Sequence, residues 1–177
     1  MKDLNFVPEC FVDTNLVEFL LETDGVNHQK GCNNVINTMK GKVLNDSFAV
    51  GVIDADKRQP SYVKEFTEIA HTEHLSLMKH KEKPHYLIII CPAMDSFILD
   101  CAEAQAIDVS KFNLSSDLNA FKKQTKTVVS KSDLRFKRLF KQIKNNPEFS
   151  VLFNVLNYLK SHQYKSSQDD LLNFFCL

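Results

Sequence analysis

The residues best suited to chemistry are two aspartates that follow an apolar run. Residues 48–53 carry no charged side chain, and Asp54 and Asp56 come directly after them. A run of this kind predicts a strand covered on both faces, as in a parallel sheet, whose carboxyl end opens onto a crevice. Hard cations such as Mg²⁺ bind carboxylate oxygens together with substrate phosphates. The pair therefore indicates a divalent-metal site, with a turn or a solvated strand end as the plainer interpretation.

Three further acids are expected at the same edge of the sheet. Glu9 ends the first predicted strand, Asp13 lies four residues later, and Asp95 follows the last predicted strand. Ligands of α/β sheets bind at the carboxyl ends of strands, and carboxylates that meet there repel one another unless a cation or proton neutralises them. Asp13 and Asp95 are explained equally well as helix caps. The predicted metal ligands are Glu9, Asp13, Asp54, Asp56 and Asp95.

Strands and helices that would position these acids alternate up to about residue 100. The apolar spacing predicts strands over 4–8, 48–53, 75–78 and 86–91, and helices over 12–20, 32–39 and 63–70. This alternation is typical of an α/β fold with a mainly parallel sheet flanked by helices. The sequence beyond Pro92 is mainly helical, with Asn146-Pro147 and Ser167 as predicted helix starts. We therefore expect an α/β core over 1–105 and a helical extension over 106–177 that packs on it.

The charge of the chain is zero overall but unevenly distributed. Residues 122–146 carry nine Lys or Arg against one Asp. Within them, apolar residues at i, i+3, i+4 and i+7 predict a helix with one buried stripe, and its basic residues would face outward. Such a face is either solvated or binds phosphate groups. The apolar positions are Phe136, Leu139, Phe140 and Ile143.

The composition and the absence of certain motifs limit the classes of function that the chain could have. The 177 residues are 44% hydrophobic, which suits one sizeable core. Five cysteines without a Cys-x-x-Cys pair predict reduced, mostly buried thiols of an intracellular protein, and the longest apolar run, 87–91, is too short to cross a bilayer. We therefore expect a cytoplasmic protein without a membrane segment. No glycine-rich phosphate loop or Gly-x-Ser-x-Gly elbow is present, so nucleoside triphosphate hydrolysis and acyl transfer lack support.

The histidines give weaker signals. His71 and His74 are spaced i, i+3, but no further ligand stands at a spacing suited to zinc. His80 and His85 flank a lysine-rich turn and are expected to be solvated. The histidines therefore add no metal site to the one predicted at the acids.

The acidic motifs resemble the Toprim fold of topoisomerases, primases and OLD-type nucleases. The resemblance lies in Glu9 after a strand, Asp13 four residues on, and Val52-Ile53-Asp54-Ala55-Asp56 ending a buried strand. Asp95, in Cys-Pro-Ala-Met-Asp-Ser, is similar to the acid that begins a helix in small stand-alone Toprim-like proteins. The similarity covers roughly residues 4 to 100. Cys10 stands where the family usually has glycine, and no glycine closely follows Asp56.

This resemblance implies phosphodiester cleavage of DNA or RNA with Mg²⁺ or Mn²⁺. Glu9, Asp54 and Asp56 would be the catalytic residues that hold one or two ions at the scissile phosphate, and Glu9 could instead act as general acid or base. Asp13 and Asp95 would complete or orient a second ion. Basic side chains would contact the phosphate backbone. These predicted nucleic-acid contacts are Lys57, Arg58, Arg135, Lys137, Arg138 and Lys141.

Two alternatives remain open from the sequence. Phe11-Val12-Asp13-Thr14-Asn15 is similar to the opening of a PIN-domain ribonuclease, in which an Asp ends the first strand and binds metal. That assignment would place Pro8 and Glu9 inside a central strand, where proline is disfavoured. The other alternative is a non-catalytic nucleic-acid-binding or regulatory module with a degenerate metal site. The oligomeric state is not determined by the sequence.

Overall fold

A five-stranded mixed sheet organises the protein. The computed structural model describes residues 2–55 and 59–176. Its strand order is β1-β2-β5-β4-β3, in which β1, β2 and β5 are parallel while β4 and β3 run antiparallel to their neighbours. The expected α/β class is confirmed, but the expected mainly parallel sheet is wrong, because two of the four strand pairings are antiparallel. The strands are β1 (Phe6–Pro8), β2 (Ala49–Asp54), β3 (Phe66–His71), β4 (Leu75–His80) and β5 (His85–Ile90).

Helices cover both faces of the sheet. Within the described part of the chain, the α-helices are α1 (Phe11–Leu20), α2 (Cys32–Lys40), α3 (Met94–Ala104), α4 (Leu118–Thr125), α5 (Leu134–Ile143), α6 (Pro147–His162) and α7 (Gln168–Asn173). The predicted caps of the last two are confirmed. Asn146 Oδ1 accepts a hydrogen bond from Phe149 N at 3.1 Å, and Ser167 Oγ accepts one from Asp170 N at 3.4 Å. Helices α6 and α7 therefore begin at the residues that the sequence indicates.

The predicted helix over 63–70 is wrong. Residues 61–65 form a single 3₁₀ turn, and the following residues form strand β3. Ile69 is an extra residue between the paired Glu68 and Ala70, so it is a β-bulge. A bulge transfers the residues beyond it to the other face of the sheet, which interrupts the alternation of apolar side chains. The apolar residues of the strand consequently fall at spacings that resemble those of a helix.

Two apolar layers hold the helices against the sheet. On one face, α2 packs so closely on β2 that a Cβ added to Gly51 would lie 2.7 Å from Leu87 Cδ2 and 2.8 Å from Met39 Sδ. On the other face, α1 and α3 share one buried cluster with α4 to α7. Phe136, Leu139, Phe140 and Ile143 are all fully buried there, which confirms the predicted stripe of α5. The helical extension therefore shares a hydrophobic core with the sheet.

The burial of the cysteines and the length of the helices can be compared with what the composition predicts. All five cysteines are free; two are buried, two are half-buried, and Cys176 is exposed. Fewer thiols are buried than expected. Among the helices of residues 2–55 and 59–176, none combines the length and the apolar character needed to cross a bilayer.

His80 and His85 are buried, contrary to the expectation of solvated turn residues. Their exposed fractions are 3% and 0%. His85 Nε2 donates to Leu44 O at 2.9 Å, so Nδ1 accepts from the Tyr62 hydroxyl at 2.7 Å. His80 Nδ1 accepts from the backbone N–H groups of residues 82 and 83. Both rings are therefore neutral, and burial lowers the pKa of each below its ordinary value of 6.5.

Because His80 and His85 are buried and neutral, the free energy of unfolding should depend on pH. Because the folded-state pKa of each ring lies below the unfolded value, the unfolded chain binds more protons at intermediate pH. Their contribution is therefore complete above about pH 6.5 and is lost as the pH falls through the folded pKa. We expect His85→Gln, which retains one donor and one acceptor, to reduce this slope by at most about 1.4 kcal/mol per pH unit.

Urea unfolding between pH 5 and 7 measures the slope. The exposed His162, replaced by Gln, serves as the control and should leave the slope unchanged. Equal slopes for wild type and His85→Gln would show that His85 binds protons equally in the folded and unfolded states, which would contradict a lowered folded-state pKa.

Candidate functional site

The carboxyl ends of the three parallel strands bring together four acids. Glu9 follows β1, Asp54 is the last residue of β2, and Asp95 lies in the first turn of α3, which follows β5. Asp13 lies in the first turn of α1, four residues after Glu9. Since β2 pairs with both β1 and β5, the strand ends lie side by side. We refer to Glu9, Asp13, Asp54 and Asp95 as the carboxylate cluster.

Hydrogen bonds join the three strand ends through Asp54. The backbone N–H of Asp54 donates to Glu9 Oε2 at 3.0 Å. The Asp54 carboxylate in turn accepts at Oδ1 from the backbone N–H of Met94 at 2.9 Å. Asp54 therefore fixes the first turn of α3 relative to β2, and Glu9 fixes β1 relative to the same strand. The cluster is positioned by backbone contacts rather than by flexible side chains alone.

Asp13 is the most deeply buried acid of the cluster. Its side chain is 1% exposed, and its two oxygens accept from Cys10, Oδ2 from the backbone N–H at 3.1 Å and Oδ1 from Sγ at 2.8 Å. Burial and the negative charge of Asp54 raise the pKa of Asp13 well above its ordinary value. Glu9 and Asp95 raise this pKa further, while the bond from Cys10 opposes them. Three acids thus act electrostatically on one buried carboxyl group.

Cys10 serves as the N-cap of α1. Its backbone has φ −133° and ψ −179°, an extended conformation open to any residue, so the position does not require the glycine usual in Toprim proteins. Burial, followed by the charge of Asp13, raises the pKa of the thiol. The thiol therefore stays protonated and acts as a hydrogen-bond donor to Asp13 rather than as a nucleophile.

Asp95 is a largely buried member of the cluster, with 7% of its surface exposed. Its negative charge reaches Asp13. Asp95 therefore adds to the negative charge that surrounds the buried Asp13.

The described acids do not by themselves form a metal site. Within residues 2–55 and 59–176, no group of three or more His, Cys, Asp or Glu side chains is arranged to hold a metal ion. Glu9 Oε2 and Asp54 Oδ1 each accept a hydrogen bond from a backbone N–H group. Asp56, the remaining predicted ligand, lies outside the described residues, as do Lys57 and Arg58. The structure therefore gathers four of the five predicted ligands and leaves the fifth undescribed.

The predicted basic contacts on α5 differ in their surroundings. The guanidinium of Arg135 is held by both carboxylate oxygens of Asp133, with Nη2 at 2.7 Å from Oδ2, and donates to Asn113 O. Lys137 is half-buried, whereas Arg138 and Lys141 are exposed. The cationic groups accessible on this helix therefore lie beyond its first turn.

Helix α5 lies beside α1 with the same direction. Asn15 Nδ2 donates to Ser130 O at 2.8 Å and to Asp133 O at 3.1 Å, just before α5 begins. Further along, the rings of Phe19 and Phe140 are 5.6 Å apart. The first turn of α5 is thus near the end of α1 that carries Asp13, and its last turn is near the opposite end.

A histidine contact between distant segments was not predicted from sequence. His74 Nδ1 lies 2.5 Å from Glu148 Oε2, and its Nε2 lies 3.2 Å from Asp100 Oδ2. These bonds join the β3–β4 turn to α6 and α3. No local pattern could have revealed them, because Glu148 is 74 residues away in the chain.

Comparison with known proteins identifies no relative of this chain. Neither a protein-family model, nor a curated protein, nor a solved structure matches this chain. The functional argument therefore depends on the residues of the cluster and their arrangement.

Proposed function

We propose that this protein is a Toprim-like enzyme that cleaves phosphodiester bonds of nucleic acid with Mg²⁺ or Mn²⁺. The observation that carries the proposal is that Glu9, Asp54 and Asp95 follow three adjacent parallel strands beside the buried Asp13. Burial and the charges of these acids raise the pKa of Asp13. Negative charge accumulated at the carboxyl ends of parallel strands is the arrangement in which a divalent cation is stabilising.

The donor set suits a hard cation. The side chains of the carboxylate cluster offer only oxygen ligands, which Mg²⁺ and Mn²⁺ prefer. Asp56 follows Asp54 by two residues and would supply a further carboxylate. Glu9, Asp54 and Asp56 would hold the ion, and Asp13 and Asp95 would complete or orient a second site. Bound there, the ion would stabilise the charge that develops on the phosphate oxygens.

The protein's own residues have defined tasks in this proposal. Asp54, bonded to the first turn of α3, would keep its carboxylate in one orientation. Cys10 would hold Asp13 in place by donating to both of its oxygens. Lys57 and Arg58 would contact substrate phosphates next to the acids, and Lys137, Arg138 and Lys141 would attract the nucleic-acid backbone.

The position of Asp13 favours the Toprim layout over the PIN layout. Strand β1 ends at Pro8, and Asp13 lies in α1, so the acid at the strand end is Glu9. The PIN arrangement needs Asp13 at the end of the strand. A non-catalytic module is distinguished from an enzyme by experiment.

Metal-dependent cleavage and metal-dependent stability test the proposal together. We expect labelled single-stranded, double-stranded and structured DNA and RNA to be cleaved in Mg²⁺ or Mn²⁺ and not in excess chelator. We also expect either ion to raise the free energy of unfolding by about 2.7 kcal/mol at a concentration 100 times its dissociation constant.

Two other outcomes would contradict enzymatic cleavage at this site. Stabilisation by the ions without cleavage of any substrate would identify a non-catalytic module. Neither stabilisation nor cleavage would remove the basis for a metal site at the cluster.

A further inference from the structure

A groove of about 680 Å³ lies between the ends of α1, α5 and α6, on the opposite end of α1 from the carboxylate cluster. Aromatic rings and lysines line it together. Phe149 forms part of its buried wall, whereas Phe153 is 44% exposed. Lys141 and Lys144 stand on the α5 side, and the exposed Glu22 stands on the α1 side. The groove thus combines apolar ring surface with a net positive charge.

The walls of the groove are held by hydrogen bonds that do not use its lining side chains. Asn157 Nδ2, one turn after Phe153, donates to Leu20 O at 3.0 Å and so fixes α6 against the end of α1. Ser150 Oγ donates to Lys144 O at 3.0 Å and fixes α6 against the end of α5. The groove is therefore present before any ligand binds, which reduces the entropic cost of binding.

We propose that this groove binds single-stranded nucleic acid, with an unpaired base against Phe153 and phosphates near Lys141 and Lys144. Proteins bind single strands by stacking bases on aromatic side chains beside a positively charged track. Bases within a duplex are already stacked and cannot enter a groove between helices. Lys137, Lys141 and Lys144 are spaced i, i+4 and i+7, so they form one basic stripe along α5 that leads out of the groove.

The position of the groove relates it to the cluster. Helix α1 has ten residues and is about 15 Å long. Asp13 lies in its first turn, and Phe19 and Leu20 line the groove at its last turn. A strand held in the groove would therefore place neighbouring nucleotides within reach of the acids. This substrate class rests on the proposed function, but the groove's binding of single strands is measurable without any cleavage.

The test measures binding in the absence of divalent ions. Labelled 12-nucleotide oligo-dT and oligo-rU, and a duplex of the same length, are titrated with the full chain in chelator, and fluorescence anisotropy is recorded. We expect the single strands to bind at least about tenfold more tightly than the duplex. Phe153→Ala should weaken single-strand binding about fivefold or more, since stacking of one base contributes about 1–3 kcal/mol. Phe153→Tyr, which keeps the ring, should retain the affinity, whereas Phe153→Leu should lose it.

The salt dependence of binding tests the role of Lys141 and Lys144 separately, with a matched control. Replacing Lys141 and Lys144 together by Ala should lower the slope of log affinity against log salt by about 1.4, or about 0.7 for each lost phosphate contact. The exposed Lys123 and Lys126, replaced together, remove the same charge elsewhere and should leave the slope unchanged. Leu172→Ala, at a residue 46% exposed, controls for loss of exposed apolar surface.

Several outcomes would overturn the inference. They are equal binding of duplex and single strands, unchanged affinity of Phe153→Leu, full competition by polyglutamate, or self-association of the protein through the same residues. Metal-dependent cleavage with unchanged affinity in the Phe153 variants would reject the groove and leave the proposed function standing. Single-strand binding that depends on Phe153, without cleavage in Mg²⁺ or Mn²⁺, would support the groove and reject the proposed function.

Discussion

Replacing Asp54 by Asn is expected to lower the metal-dependent cleavage rate by about 10³-fold while the protein remains folded. Asn keeps an oxygen that can accept from the backbone N–H of Met94, so the bond between β2 and α3 is retained. It removes the negative charge that would hold the ion against the scissile phosphate. A bound metal supplies several kcal/mol of transition-state stabilisation, and about 4 kcal/mol corresponds to a factor of about 10³ in rate.

Single-turnover cleavage of a labelled substrate measures this loss, and chemical denaturation measures the fold. Glu103→Gln is the matched control, because Glu103 is an exposed acid on α3, the helix that carries Asp95. The control should keep the wild-type rate. A wild-type rate in Asp54→Asn would place the chemistry outside the carboxylate cluster. A loss in the control of equal size would show that net charge, rather than the site, controls cleavage.

Replacing Phe140 by Ala is expected to lower the free energy of unfolding by about 3–5 kcal/mol. The ring is fully buried, 5.6 Å from the ring of Phe19 on α1 and 6.3 Å from those of Phe136 and Phe149. Its removal would leave a cavity where α5 meets α1 and α6. Since domains of this size are stable by about 5–15 kcal/mol, the loss is a large part of the total.

Urea unfolding followed by circular dichroism and by tyrosine fluorescence tests whether the helices and sheet share one core. We expect a single transition, shifted to lower urea, with both probes coincident. Leu134→Ala on the same helix is the control, because Leu134 is 62% exposed and its loss should change stability by less than about 0.5 kcal/mol. Two separate transitions in Phe140→Ala would show that residues 106–177 unfold as an independent unit.

The local sequence patterns predicted elements whose evidence is contained within a few neighbouring residues. The apolar stripe of α5 appears as a buried face, and the caps at Asn146 and Ser167 begin their helices. A helix face and a cap depend on spacings of three or four residues, which the sequence displays directly. The bulge at Ile69 shows the limit of this reasoning, because a single inserted residue changed a strand pattern into an apparent helical one.

The sequence by itself determined that acids stand after strands, since Glu9, Asp54 and Asp95 each follow an apolar run. Only the tertiary structure decided that these ends are adjacent, because strand order is set by crossovers and pairing rather than by local spacing. It also decided that His80 and His85 are buried, that Arg135 donates to Asn113 O, and that Lys141 and Lys144 border an aromatic groove. These contacts join segments distant in the chain, and their burial and charge depend on the assembled fold.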